Sequence, residues 1–430
     1  MKKLLPPILP ILILISTLVI LPILSIEAKA QEQSEKFKFS GMIWIVNWYV
    51  NNGDFNSDIK DDDNGMYGRI TLACDIDLGR NITGHIAILQ EAFWLGGIGP
   101  TERGWYENPG FARAYLKINK IFGSNFSFSL GRLPFGARRY GEGLVLDDFI
   151  NMGYDGVRIT YEGEKNNTEF FAAKVKDEGR ADKELNIFGI YSISNLLNNR
   201  LKLYNYFMHT QNSNDRNTWK TMRDSRNYIG IRVEYDIIEG LNYTGEFAYL
   251  FGRDKERDVD RRAYAFTNKL AYKWSYFRLG GGYYIATGDN EETQNNELFS
   301  NAFGTPYFPE CTRQWPGFTD AVYFGRGYVE DFVYEPSDDK ILNLFIQFFP
   351  TKKDWDIRLD YLKYKKYWAA PGQSDDLGME IKLSAGWNIR GIISPVIIFS
   401  YFKPGDGLVN NPLAPKDPII CFRTAFFMGF

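Results

Sequence analysis

A strict alternation of apolar and polar side chains constrains this chain more than any other feature. From Tyr67 to Leu78, apolar residues and one glycine occupy every second position, while Arg69, Asp75 and Asp77 lie among the residues between them. Successive side chains of a β-strand point to opposite faces, so the pattern predicts a strand with one apolar and one polar face. Residues 111–118 repeat it, with Ala112, Ala114, Leu116 and Ile118 opposing Arg113, Tyr115 and Lys117.

The alternation predicts eighteen strands, and the connections between them alternate between long and short. The predicted strands are 37–50, 66–78, 81–92, 110–120, 124–133, 154–162, 167–176, 185–195, 199–208, 226–236, 241–251, 262–273, 276–287, 341–349, 354–366, 376–387, 391–402 and 419–430. The long connections are 51–65, 93–109, 134–153, 209–225, 252–261, 288–340, 367–375 and 403–418, with a shorter charged one at 177–184.

The regular alternation of long and short connections indicates a membrane barrel. Outer-membrane barrels combine an even number of strands with short periplasmic turns and long external loops, and closure leaves no exposed strand edge. The chain is 16% aromatic and 24% charged, and its one long apolar run lies at the start. A helical membrane protein would need several apolar stretches of about 20 residues. We therefore predict an all-β fold, with residues 31–430 forming one transmembrane antiparallel β-barrel in lipid of the bacterial outer membrane.

The first thirty residues have the features of a secretory signal peptide. Two lysines precede a long apolar segment, and Ala28-Lys29-Ala30 provides a small-x-small cleavage pattern. The alternative is an N-terminal anchor helix, because the apolar segment is long for a signal peptide. Removal of residues 1–30 leaves 47 basic and 52 acidic residues, since Lys2, Lys3, Lys29 and Glu27 are lost.

Aromatic residues near strand ends support the barrel. We expect Trp44, Trp48, Trp355, Trp387 and Tyr401 to face lipid, as in the aromatic girdles of membrane barrels. The terminal Phe430 ends an alternating strand and resembles the C-terminal signal that the barrel-insertion machinery recognises.

Several arginines surround one predicted hairpin between Ser129 and Tyr161. They are Arg132, Arg138, Arg139 and Arg158. A guanidinium group is always charged and can hold a carboxylate through two parallel hydrogen bonds, so the group predicts an anion-binding wall. Ordinary salt bridges with Asp147, Asp148 and Asp155 are the alternative.

Three ordered motifs resemble the alginate export family of eighteen-stranded outer-membrane barrels. The first is Gly131-Arg132 with Gly136, Arg139 and then Asp155-Gly156-Val157-Arg158. The second is Ala286-Thr287-Gly288-Asp289-Asn290 followed by Asn296-Glu297-Leu298-Phe299. The third is Leu377-Gly378-Met379-Glu380 followed by Tyr401-Phe402-Lys403-Pro404-Gly405-Asp406.

The resemblance implies a channel that passes an acidic polysaccharide through an arginine-rich constriction. Carried over to this chain, the constriction includes Arg132, Arg139 and Arg158, with Arg138 beside them. Strand parity places further cations in the lumen: Arg113, Lys117, Arg232, Arg278, Arg358 and Lys382. Parity counted from Phe126 places Arg132 towards lipid, so either a bulge near Gly131 redirects it or it lies at the rim.

Acidic residues share the lumen phase: Asp75, Asp77, Glu234, Asp236, Glu246, Asp356, Asp360 and Glu380. We therefore expect an anionic or sugar-like solute, and not alginate in particular.

Other functions receive less support from the sequence. The chain has two histidines, in no recognisable Ser/Asp cluster, and three cysteines without a C-x-x-C motif, so we predict no catalytic residue, no metal and no cofactor. We also expect no nucleic-acid partner. Two alternatives stay open: a general diffusion porin, and a barrel that sheathes a periplasmic partner complex. A further hypothesis is that residues 288–340 plug or gate the mouth, because an unstructured connection of that length is usually functional or mobile.

Overall fold

The structure is a computed structural model of the whole chain. It describes residues 36–51, 63–96, 105–106, 110–134, 153–176, 184–213, 224–254, 258–288, 293, 295, 297, 339–350, 354–407 and 417–430. The predicted signal peptide lies outside these residues, and so does most of the 288–340 connection.

Nineteen strands make up the described fold, and eighteen of them match the predicted strands. They are β1 Phe37–Asn51, β2 Asp63–Gly79, β3 Ile82–Gly96, β4 Trp105–Tyr106, β5 Gly110–Ile118, β6 Phe126–Pro134, β7 Gly153–Glu162, β8 Asn166–Lys176, β9 Glu184–Leu196, β10 Leu201–Ser213, β11 Asp224–Ile238, β12 Leu241–Asp254, β13 Val259–Trp274, β14 Phe277–Ala286, β15 Asp339–Phe348, β16 Trp355–Lys366, β17 Asp376–Trp387, β18 Ile393–Pro404 and β19 Ile419–Gly429. The additional element is β4, a two-residue strand that pairs with β3.

The eighteen long strands close into a barrel. Each pairs antiparallel with its neighbours along the chain, and β19 returns to pair with β1. The terminal residue extends this closure, because Phe430 exchanges backbone hydrogen bonds with Gly41 at 2.7 and 3.1 Å. A Cβ atom at residue 41 would lie less than 3.0 Å from three atoms of the Phe430 ring, so glycine makes room for that ring. The predicted barrel is confirmed, and its first and last strands join beside Gly41.

Short turns gather at one end of the barrel, together with the start of β1 and the end of β19. The turn between β2 and β3 spans Arg80 and Asn81, both with positive φ, and the turn between β13 and β14 begins at Ser275 with φ of 47°. Between β5 and β6 the chain forms a three-residue 3₁₀ helix, Ile121–Gly123. The strand ends that the long connections join lie at the opposite end, which makes the short-turn end periplasmic. In the described part of the chain, no helix is long and apolar enough to cross a membrane.

The two faces of the wall differ as the alternation predicted. Exposed leucine, isoleucine, valine and aromatic side chains cover the outside, and the buried charged residues point inward. Trp355 and Trp387 stack on the outside with ring centroids 4.5 Å apart, near the periplasmic ends of β16 and β17. This pair fits the predicted aromatic girdle.

Two details of the predicted faces are wrong. Ala112 is buried and Phe111 is exposed, because the pairing of β3 with β5 slips by one residue between Ala87 and Ile88 and forms a bulge. Trp44 faces the lumen, since it is the cross-strand partner of Arg69 and its ring lies 5.7 Å from that guanidinium. The side chain of Trp48 lies outside the described set.

Candidate functional site: the charged lumen

Cations outnumber acids among the buried side chains of the lumen wall. Eight buried cations and four buried acids lie in the described residues. The cations are Arg69, Arg158, Arg226, Arg232, Arg261, Arg358, Lys382 and Arg423, and the acids are Glu169, Glu246, Asp360 and Glu380. Burying a charge without a partner costs several kcal/mol, so such residues require nearby counter-charges or polar groups. The contacts of three wall regions show how this is achieved.

The first region lies on β15, β16 and β17. Arg358 donates to both carboxylate oxygens of Asp360, with distances of 2.6 to 3.0 Å. Asn343 donates to the same carboxylate at 3.1 Å, and Lys382 is the cross-strand partner of Asp360. The Arg358 guanidinium also lies 3.9 Å from the centroid of the Phe345 ring. These contacts hold a positive charge at a defined place on the wall.

The second region lies on β10, β11 and β12. Arg232 donates to Glu234 at 2.7 Å and lies 3.9 Å from a carboxylate oxygen of Glu246. Tyr204 donates to Glu234 at 3.0 Å, and Tyr206 donates to Glu246 at 2.7 Å. One arginine therefore faces two carboxylates, each of which also accepts from a tyrosine.

Aromatic rings form part of this second region. The Tyr191 and Tyr206 rings stack with an interplanar angle of 1° and centroids 5.9 Å apart. The Tyr204 ring lies edge-on to Tyr191 at 6.3 Å, and the Arg232 guanidinium lies 5.5 Å from the Tyr204 ring. Gly230 permits this packing, because a Cβ there would overlap the Tyr206 ring.

The third region is the hairpin that the sequence singled out. Gly131 and Gly156 are cross-strand partners. A Cβ at residue 131 would overlap the Ala114 carbonyl oxygen on β5, and a Cβ at residue 156 would overlap the Ala172 carbonyl oxygen on β8. Gly131 also has φ of 126°, which favours glycine. Arg158 is 3% exposed, donates to the Pro134 carbonyl oxygen and lies 3.5 Å from Glu169. The glycines of the first motif thus allow close strand pairing beside an inward arginine.

Arg132 does not join the inward group. It forms a two-point ion pair with Asp155, at 3.0 and 3.1 Å, and donates to the Phe111 carbonyl oxygen. Asp155 shares its face with the exposed Val157 and Ile159. No register shift occurs along β6 and β7, so the alternative of a redirecting bulge is wrong. Arg132 lies on the outer face, which corrects its predicted place in the constriction wall.

The other predicted cations take different positions. Arg113 is partly buried and inward, opposite the buried Ala87. Lys117 lies at the periplasmic end, 3.4 Å from Glu162, and Arg278 faces the lumen near the same end. Arg138 and Arg139 lie outside the described residues.

Four buried lumen arginines were not among the predicted lumen cations, although one of them, Arg69, had been placed on the polar face of its strand. They are Arg69, Arg226, Arg261 and Arg423. Each occupies the inward phase of its strand, so strand parity could have identified them.

The third motif also has a structural explanation. Gly378 has φ of 128°, and a Cβ there would overlap the Lys403 carbonyl oxygen. Gly405 donates its backbone N–H to the Leu377 carbonyl at 3.1 Å, which ties the two halves of the motif together. Glu380 is inward, where it accepts a hydrogen bond from Tyr364 at 2.9 Å. Most of the second motif lies outside the described residues.

A closed eighteen-stranded barrel with an apolar outside and a charged inside defines the class as an outer-membrane channel of the porin type. The family described as "Alginate export" matches residues 110–417, more than half of the chain. The chain belongs to this family, and the family and fold place it in the bacterial outer membrane. Among curated protein sequences, none matches at a significant level.

Solved structures share the fold. Pseudomonas aeruginosa OprD aligns with a TM-score of 0.55 at 11% identity, over 93% of this chain and 97% of that one. Acinetobacter baumannii OccAB4 aligns with a TM-score of 0.56 at 14% identity, over 92% of this chain and 99% of that one. Pseudomonas aeruginosa OccK8 (OprE) aligns with a TM-score of 0.55 at 12% identity, over 92% and 98%. At these identities the likeness concerns the fold alone.

Proposed function

We propose that the barrel passes an anionic or sugar-like solute through an arginine-lined passage, without chemistry. The observation that carries this proposal is the ratio of eight buried cations to four buried acids on the described lumen wall. A passage enclosed by low-dielectric walls concentrates ions opposite in charge to the wall. A channel needs only a suitable radius and wall charge, so this excess favours anions over cations.

The family match supports a sugar-like solute. The matching family is described as "Alginate export", and an acidic sugar or its polymer is an anion, which agrees with the excess of cations on the described lumen wall.

Selectivity measurements test the proposal. The purified barrel is inserted into planar bilayers, and the reversal potential is recorded under a gradient of potassium chloride. We expect preference for chloride in the wild type, and a reduced preference in the Arg113→Gln, Arg158→Gln double variant. Arg132→Gln is the control for Arg158→Gln alone, because each removes one positive charge from the same hairpin and Arg132 lies on its outer face.

Each rival function predicts a different result. A general diffusion porin would show little preference and little response to either change. A barrel that sheathes a partner would copurify with a periplasmic protein in a fixed ratio.

We also propose that Phe430 guides insertion into the membrane. Its position at the closure of the barrel supports this role. Adding a polar residue after Phe430 should lower the amount of folded barrel in the outer membrane.

A further inference from the structure

Two polar rows cross the outer face of the barrel wall between β6 and β10. The upper row, nearer the external end, contains register partners on β6 to β8: Arg132, Asp155 and Lys174. The lower row contains register partners on β7 to β10: Tyr161, Thr168, Ser192 and Asn205. All seven share the outward phase with exposed apolar residues of the same strands: Leu130, Ile159, Phe170, Ile190 and Phe207.

Contacts within the rows hold these polar groups on the outer face. In the upper row, the side chains of the Arg132–Asp155 ion pair are 43% and 64% exposed. In the lower row, the hydroxyl oxygens of Thr168 and Ser192 lie 3.0 Å apart and share a hydrogen bond. Charged, hydroxyl and amide groups therefore point away from the lumen at two heights on the same strands.

The two rows are too close together to lie on opposite sides of a bilayer core. Six residues separate Asp155 from Tyr161 on β7, and the same spacing holds on β8. At about 3.3 Å per residue and a strand tilt of about 40°, this separation is about 20 Å along the strand and about 15 Å along the membrane normal. The apolar band of an outer-membrane barrel is about 25 Å tall. Because the lower row lies beside the periplasmic turn after Glu162, the upper row lies within the hydrocarbon region.

The outer face of β16 has a taller apolar band. Exposed apolar side chains run from Trp355 to Tyr361, and Lys363, the first charged residue on this face, follows eight residues after Trp355. Eight residues correspond to about 26 Å along the strand and about 20 Å along the membrane normal. A membrane-spanning surface that is too short is accommodated by a thinner bilayer or by association with another protein. The face formed by β6 to β10 is such a short surface.

An apolar groove of about 380 Å³ lies between the two polar rows. Its walls come from β7 to β10 and include Val157, Ile190 and Phe207. Ala172 and Phe188 also line it and are register partners, so a small side chain lies beside an aromatic ring that is 46% exposed. An apolar centre with polar edges is typical of a protein–protein interface.

We propose that the outer face of β6 to β10 is the interface between two copies of this chain. A two-fold axis along the membrane normal, between β8 and β9, places Phe188 of each copy against Ala172 of the other. The ring of one copy then fills the groove of the other, and the polar rows face polar groups instead of hydrocarbon. Hydrogen bonds between polar side chains stabilise association within a bilayer. The interface does not depend on which solute the channel passes.

Cysteine crosslinking in isolated outer membranes tests the contact. The three native cysteines are first replaced by serine. One copy of the chain then carries Ala172→Cys, and a second copy with a different tag carries Phe188→Cys. We expect a short thiol crosslinker to join the two tagged chains. Leu359→Cys with Leu383→Cys is the matched control, because these residues are exposed register partners on β16 and β17 and should stay unlinked.

Sedimentation equilibrium of the whole detergent-solubilised barrel tests the groove. We expect the wild type to have the mass of two chains. Ala172→Phe should weaken association about tenfold, which corresponds to about 1.4 kcal/mol, because its ring occupies the place of Phe188 from the other copy. Ala385→Phe makes the same change on the outer face of β17 and should leave association unchanged. Heat-modified gel mobility shows that each variant is folded.

Several outcomes would refute the interface. A wild type that sediments as a single chain, or that gives no crosslink between residues 172 and 188, would do so. Equal crosslinking of the control pair would show random encounters in the membrane. A single chain that retains phospholipid, and loses it on Ala172→Phe, would assign the groove to an acyl chain. Loss of anion preference plays no part in these outcomes, so the interface and the proposed function can fail separately.

Discussion

Replacement of Asp360 by asparagine should destabilise the barrel strongly. Asp360 is 1% exposed, and it accepts three hydrogen bonds from Arg358 and one from Asn343. Asp360→Asn removes the negative charge that the Arg358 guanidinium contacts on both carboxylate oxygens. Breaking a buried ion pair by removing one partner costs about 3–5 kcal/mol. Because asparagine keeps one acceptor oxygen, we expect a loss of about 3 kcal/mol.

The same two strands supply a matched control. Lys365 on β16 and Asp375, just before β17, form an ion pair of 3.0 Å in which the side chains are 47% and 46% exposed. Exposed pairs contribute about 0–1 kcal/mol, so Asp375→Asn should cost less than 1 kcal/mol. The chemical change is identical in both variants, and burial is the difference.

Denaturant unfolding in lipid vesicles, followed by tryptophan fluorescence, measures both free energies. The slope of the free energy against denaturant should stay constant across the three proteins, so that a shift in midpoint reports stability. Equal losses in the two variants would show that burial of Asp360 does not determine its contribution. Asp360→Asn should also increase chloride preference in bilayers, because the lumen loses an acid.

Two further predictions concern glycines that make room for other groups. Gly41→Ala should lower the yield of folded barrel on heat-modified gels, because its Cβ would displace the Phe430 ring from the closure. Gly156→Ala should cost about 1–3 kcal/mol in the same denaturant assay, because its Cβ would overlap the Ala172 carbonyl oxygen. Gly84→Ala is the control for both, since its Cβ would meet its nearest neighbour at an ordinary 3.7 Å. A loss in Gly84→Ala equal to the others would contradict the steric reasoning.

The sequence alone determined the barrel and the location of its strands. Period-two alternation depends only on neighbouring residues, and the alternation of long and short connections fixed which end is periplasmic. Strand parity also identified inward cations such as Arg232 and Arg358. The Arg132 placement illustrates the limit, because parity indicated the outward face while the family resemblance suggested the lumen.

Only the tertiary structure decided which charges meet. The bulge at Ala112 and the inward orientation of the Trp44 side chain depend on pairing between strands, which local alternation does not encode. Arg232 and Glu246 lie on different strands, and the pairing of β11 with β12 places them opposite each other. Charges interact through space, so a strand pattern can give the face of each side chain but not its partner across the lumen wall.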